Sequence, residues 1–306
     1  MQWPRLPLDM LLKRLSLPKD GRLPMVLDTD TYNEVDDQFA LAYSLLSPDR
    51  LDVQAIYAAP FHNDRSIGPK DGMEKSYDEI VRLLGKMGRC PDNFVFRGSE
   101  SYLKDGETPA SSSAAQDLVC RAMSRPDGDP LYVAAIGAIT NVASALLMEP
   151  ELVKKIVVVW LGGQPLSYHT AREFNLSQDI PAARVVLDSG VPFVLIPCMG
   201  VASHLLATVP ELNAYIGGKN PLCNTLVELF SAYSTDHFAW AKEIWDVSVI
   251  GYLINPDWVP TELQSSPLLS IDNFWGRDPN RHFIRVGVGI HRNAIFKDMY
   301  QKLGRG

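Results

Sequence analysis

The sequence predicts an α/β fold: an open, mostly parallel central sheet with helices on both faces. Three observations carry this. Short, continuously apolar runs alternate with segments of helical periodicity; no Gly/Ser-rich or repetitive tract divides the chain; and 306 residues, 46% hydrophobic and 21% charged, are enough to bury a large core. The strands are read at MVLD (25–28), VQAIYAA (53–59), LYVAAI (131–136), KIVVVWL (155–161) and FVLIP (193–197), and FIRVGV is read as a C-terminal edge strand. Their unbroken apolar character suits strands covered on both faces. The first helix is read over about 35–46, where Phe39, Ala42, Tyr43 and Leu46 recur at helical spacing and Ser47-Pro48 closes the element. Further helices are predicted at 74–87, 113–124, 140–148, 180–189, 222–241 and 292–303. Residues 1–22 read as an N-terminal extension, compatible with an added helix, a dimer arm or a lid, and 23–306 as a single domain.

The formal charge of −7 offers no basic footprint for nucleic acid or an anionic membrane, so a small-molecule partner is expected. Cys90, Cys120, Cys198 and Cys223 form no CxxC or Cys/His spacing and read as thiols of a reducing compartment. No export signal and no apolar stretch of about 18 residues is visible, so a cytoplasmic location is expected.

In open α/β sheets the ligand crevice lies beyond the carboxyl ends of the strands. The segment LDTDTYNEVDDQFA places Asp28 and Asp30 at the end of the first strand and Asp36 and Asp37 at the start of the following helix. One or two such carboxylates are explained as helix caps. Four within ten residues repel one another unless a cation or a shared proton compensates them, and oxygen ligands in this number favour calcium or magnesium over zinc. Two known arrangements use such a turn: the aspartyl-nucleophile phosphatases of the haloacid dehalogenase type, where a small residue stands at the position of Tyr32, and the nucleoside hydrolases, which read DxDxxxDD.

Matches further along the chain favour the second. DTDTYNEVDD resembles the nucleoside hydrolase motif with two extra loop residues. Asn63-Asp64 follows the second strand, GAITN (137–141) is similar to GPLTN, REFNLSQDIPAARVVLDSG follows LGG (161–163) as in that family, and IWDVSVIGYLINP (244–256) resembles the stretch whose Asp closes the metal site. The resemblance implies a Rossmann-like nucleoside hydrolase fold and cleavage of the N-glycosidic bond of ribonucleosides, with Ca²⁺ as cofactor and a homo-oligomeric assembly. It implies Asp30 as general base and metal ligand, Asp37, Asp246 and the Thr140 carbonyl as further ligands, and Asp28 orienting them. Asp36, Asn63, Glu173 and Asn175 would hold the ribose, and Asp64 is a further nucleoside contact.

Three departures shape the expected specificity. The residue before the metal-binding Asp is His in broad-specificity members and Trp245 here, which resembles purine-preferring members, where the leaving base is stacked between aromatic rings. Candidates for a second ring are Tyr102, Phe61 and Trp240, and His62, His169 and His237 are candidates for a replacement acid. An Asn that the family places before its EFN glutamate is Ser167 here, and the two extra loop residues either shift the carboxylates out of register or merely widen the loop. A non-catalytic homologue that binds ribose or a nucleoside is therefore the first alternative, and the phosphatase the second.

Overall fold

The computed structural model describes residues 3–305. Eight strands form the central sheet: β1 Leu23–Thr29, β2 Leu51–Ala58, β3 Val95–Arg97, β4 Leu131–Ala135, β5 Ile156–Leu161, β6 Phe193–Ile196, β7 Thr261–Ser265 and β8 Phe283–Gly287, in the spatial order β3-β2-β1-β4-β5-β6-β8-β7. All pairings are parallel except that of β8 with the edge strand β7. The helices are α1 Leu8–Arg14, α2 Asp36–Leu45, α3 Pro69–Lys86, α4 Ser113–Met123, α5 Thr140–Met148, α6 Phe174–Gln178, α7 Ile180–Ser189, α8 Val209–Tyr215, α9 Pro221–Ser231, α10 Val247–Ile254 and α11 Arg292–Leu303.

Side chains of successive strand residues point to opposite faces, and both faces here are covered. In β1, Met25 and Leu27 pack into one apolar cluster with α2, α9, α10 and α11, whereas Val26 packs into the other with α4, α5 and α7. The chain runs outward through β1, β2 and β3, then returns to place β4 on the other side of β1. That reversal opens a crevice beyond the carboxyl ends of β1 and β4, the place where doubly wound sheets bind ligands.

Two readings of the sequence are corrected. The helix expected over 222–241 ends at Ser231, because the amide of Asp236 bonds Ser234 Oγ at 3.2 Å, that of Phe238 bonds Asp236 Oδ1 at 2.9 Å, and Ala239 takes φ +54°. The chain there forms a loop and a two-residue strand, Lys242–Glu243, antiparallel to Leu206–Ala207. FIRVGV is not the sheet edge: β8 lies between β6 and the polar TELQS strand β7. The N-terminal segment is a docked helix. Leu11 and Leu15 are buried, Arg285 Nε donates to the Leu15 carbonyl at 2.7 Å, and Arg50 donates to the carbonyls of Pro18 and Gly21. Arg14 reaches the Lys154 carbonyl at 3.2 Å. Lys154 lies two residues before β5 and Arg50 immediately before β2, so the segment lies at the amino ends of the strands, away from the crevice. No described helix is long and apolar enough to cross a membrane.

Candidate active site

The crevice is built from segments far apart in sequence. β1 delivers Asp28 and, one residue past its end, Asp30; a five-residue loop leads to Asp36 and Asp37 in the first turn of α2; Asp246 stands at the N-cap of α10. One oxygen from each of Asp36, Asp37 and Asp246 lies within 4.8 Å of the others. Asp30 is 1% exposed, and neither of its carboxylate oxygens has a hydrogen-bond partner. Asp28 accepts from Asn141 Nδ2 at 2.8 Å through Oδ1 and leaves Oδ2 without a partner. Asp37 Oδ1 accepts from Thr29 Oγ1 at 2.5 Å, and a further hydrogen bond joins Asp37 to Asp246.

Two carboxylates in hydrogen-bond contact must share a proton or yield it to a cation. Burial raises every acid in the group, and mutual repulsion adds to it at most of them. Asp28 is pushed up to about 7 by burial against the opposing Asn141 bond, and Asp37 to about 7 by burial against the bonds of Thr29 and Asp246. Asp30, Asp36 and Asp246 lie well above the usual carboxylate range, first through burial and then through neighbouring charge, that of Asp37 at Asp30 and Asp36 and that of Asp36 at Asp246. These residues fit a hard divalent ion. Calcium–oxygen distances of about 2.4 Å allow ligand oxygens of one ion to stand up to about 4.8 Å apart, and the oxygens of Asp36, Asp37 and Asp246 fall within that limit. The two orphaned Asp30 oxygens are the kind of buried acceptor a cation satisfies.

The backbone around Asp30 is fitted to it. An ideal Cβ on Gly137 would stand 2.9 Å from Asp30 Oδ1 and 3.2 Å from Ala59 Cβ, so the carboxylate occupies space that only glycine leaves open. Trp160 Nε1 donates to the Gly137 carbonyl at 2.9 Å and fixes that turn. The loop that carries the two extra residues leaves Asp36 and Asp37 close to Asp246. The Arg65 guanidinium lies 4.6 Å from the centre of the Tyr32 ring and donates to Tyr233 Oη at 2.7 Å, and Lys242 pairs with Glu34 at 2.5 Å.

A cavity of about 230 Å³ opens above the acids. Of the residues expected at the site, Asp30, Asp36, Asp37, Glu173, Asn175, Trp245 and Asp246 line it; Asp28, Asn63, Asp64 and Thr140 do not. Asn175 Nδ2 donates to the carbonyls of Leu161 and Ile136 at 3.0 and 3.3 Å, which leaves its Oδ1 for a ligand. Glu173 caps α6, accepting from the amides of Gly163, Asn175 and Leu176 at 2.8, 2.9 and 3.0 Å. Burial raises this carboxyl and the three amides oppose the rise. Asn63 donates to Asn33 Oδ1 at 2.6 Å, so Asn33 stands in the wall in its place. Asp64 is exposed, and Thr140 is buried at the start of α5, with its hydroxyl on Asp179 Oδ2 at 2.7 Å.

None of the proposed second aromatics lines the cavity. Phe61 is fully buried, Tyr102 bonds Gln178, and Trp240 packs on Phe230 at 5.2 Å. The second aromatic in the wall is Phe174, 37% exposed, which stood unread inside the EFN triplet. His62, His169 and His237 are engaged elsewhere, with Ser66, Phe274 and the Ser231 carbonyl, and among the described residues no histidine lines the cavity. Ser167 is exposed and outside it. Asn33 and Glu34 lie in the loop that carries the two extra residues and Gln164 follows LGG, so all three stand in segments the sequence points to; nothing in the sequence marked Cys198.

The chain is 27% identical to the pyrimidine-specific ribonucleoside hydrolase RihA of Klebsiella pneumoniae, over 92% of this chain and 98% of the relative, and 29% identical to RihA of Salmonella dublin over the same shares. Its fold is similar to a purine-preferring ribonucleoside hydrolase from Gardnerella vaginalis, with a TM-score of 0.73 at 18% identity covering 92% of this chain and 98% of that one. It is likewise similar to an inosine-guanosine nucleoside hydrolase, with a TM-score of 0.71 at 18% identity and coverage of 92% and 99%. The phosphatase alternative falls here, and Asp28, its required nucleophile, is buried beneath the cavity rather than in its wall. The sequence model of the inosine-uridine preferring nucleoside hydrolases matches residues 25–295, and the chain belongs to that family of N-ribosyl hydrolases.

Proposed function

We propose that this enzyme hydrolyses purine ribonucleosides in preference to pyrimidine ones, using a calcium ion held by Asp30, Asp37, Asp246 and the Thr140 carbonyl, with Asp28 orienting the set. The observation that carries the purine preference is the presence of both Trp245 and Phe174 in the wall of a cavity that no histidine among the described residues lines. The bound cation supplies a Lewis acid that makes water a stronger acid. Asp30, whose two oxygens have no other partner, takes the proton from the attacking water. Asp36, Glu173 and the free Oδ1 of Asn175 hold the sugar hydroxyls, so that the anomeric carbon faces that water. Asn63 acts through Asn33, and Asp64 reaches the nucleoside only if its loop closes inward. As the glycosidic bond lengthens, positive charge grows on the ribosyl ring, and the carboxylates below it favour that state. Trp245 and Phe174 flank the departing base, whose ring nitrogen is then protonated from solvent.

A second reading is that the enzyme prefers pyrimidine nucleosides, as the names of its RihA relatives say of those proteins. Free base and ribose measured by chromatography after incubation with inosine and with uridine, before and after chelation and calcium return, separate the readings. Faster release of hypoxanthine than of uracil, lost on chelation and restored by calcium, is expected. Faster uracil release establishes the second reading, and nucleoside binding without release of either base establishes a non-catalytic homologue.

A further inference from the structure

A second cavity, of about 570 Å³, lies between α8 and α11 and shares no wall residue with the catalytic one. Its walls combine two chemistries. Tyr215 and Tyr300 stack at 5.4 Å between ring centroids, and Phe296 packs on Tyr300 and carries the Arg292 guanidinium at 4.1 Å. Around these rings stand Lys219, Lys297 and Arg305, all exposed, none of them in an ion pair among the described residues. Among the described residues the one acid in the wall, Glu211, is taken up by Arg292 at 2.6 Å. In a chain of net charge −7, this is a local concentration of uncompensated positive charge. Tyr300 is 7% exposed, and its hydroxyl has no hydrogen-bond partner, an unspent donor and acceptor in the same wall.

We propose that this cavity binds a nucleotide, a flat ring joined to phosphate, as a site separate from catalysis. The volume falls inside the roughly 300–1,000 Å³ of small-molecule sites. The exposed Tyr215 ring, backed by Tyr300, receives the base, and lysine and arginine at the rim receive the phosphate, the charge for which they have no protein partner. Inorganic phosphate alone leaves the aromatic wall unused, and an uncharged nucleoside leaves the cations unused. The catalytic cavity is the opposite: its acids repel phosphate.

Isothermal titration calorimetry of the full chain with adenosine 5′-monophosphate tests this, with ribose 5-phosphate and inorganic phosphate as ring-free controls. Binding of the nucleotide is expected, at least tenfold tighter than either control. K219E/K297E is expected to weaken it at least tenfold while nucleoside turnover stays unchanged, and W245A is expected to leave it intact. The proposal is overturned by absence of binding, by binding that survives K219E/K297E, by binding lost in W245A, or by ring-free phosphates binding as tightly. A change in solution mass caused by K219E/K297E also overturns it, because the face is then a contact between copies of the chain.

Discussion

At the scale of single residues, the site is decided by carboxylates that have nowhere else to go. Asp30 has two buried oxygens without donors, so its acidity is answered only by a cation or a proton. Asp30→Asn keeps the shape and removes the base; kcat is expected to fall about 10²–10⁴-fold, with KM moving much less, as read by steady-state kinetics on inosine. The same acids give the metal-free protein an unusual pH dependence. Asp28 and Asp37 titrate near 7 when folded and near 3.8 when unfolded, so between those values the folded chain binds more protons. Stability therefore falls as pH rises through this window, by up to about 4 kcal/mol for a fully buried group with this shift. A cation reverses the sign by favouring the ionised acids. Thermal melts of chelated protein are expected to drop from pH 5 to pH 7.5, and melts with calcium to hold or rise; parallel curves would remove the ion from the account.

At the scale of elements, the β4–α5 turn shows how backbone positions a carboxylate. Gly137→Ala puts a methyl group 2.9 Å from Asp30 Oδ1, against a turn held by Trp160, so the carboxylate must yield. Turnover is expected to fall by more than tenfold while the melting temperature changes by only a few degrees, a split that a plain folding defect does not give. Much of this was legible in the chain. Continuous apolar runs gave five central strands because parallel strands covered on both faces need no polar alternation. The acidic turn was legible because its spacing is local. What escaped notice depended on contacts between distant segments. Thr261–Ser265 is polar and becomes a strand only by pairing with β8, and α9 stops at Ser231 because side chains of Ser234 and Asp236 capture the backbone. Phe174 is next to two expected site residues, but only the direction of α6 shows that its ring joins the wall.

At the scale of the molecule, the sheet separates two tasks. Its carboxyl end, at the reversal between β1 and β4, holds the acids and the cavity; its amino end is closed by the N-terminal helix. Leu11 and Leu15 bury their side chains there, worth about 1.5–3 kcal/mol each, and Leu15 supplies its carbonyl to Arg285. Against a usual total of about 5–15 kcal/mol, this is a large share. Deleting residues 1–17 is therefore expected to lower the urea midpoint markedly, while KM for inosine in the folded fraction stays at its full-length value, because the cavity lies at the other end of the strands. Urea denaturation and kinetics on the same preparation check both halves. An unchanged midpoint with a raised KM would instead describe a segment that reaches over the cavity, and the buried leucines and the carbonyl acceptors at the amino ends of the strands argue against that arrangement.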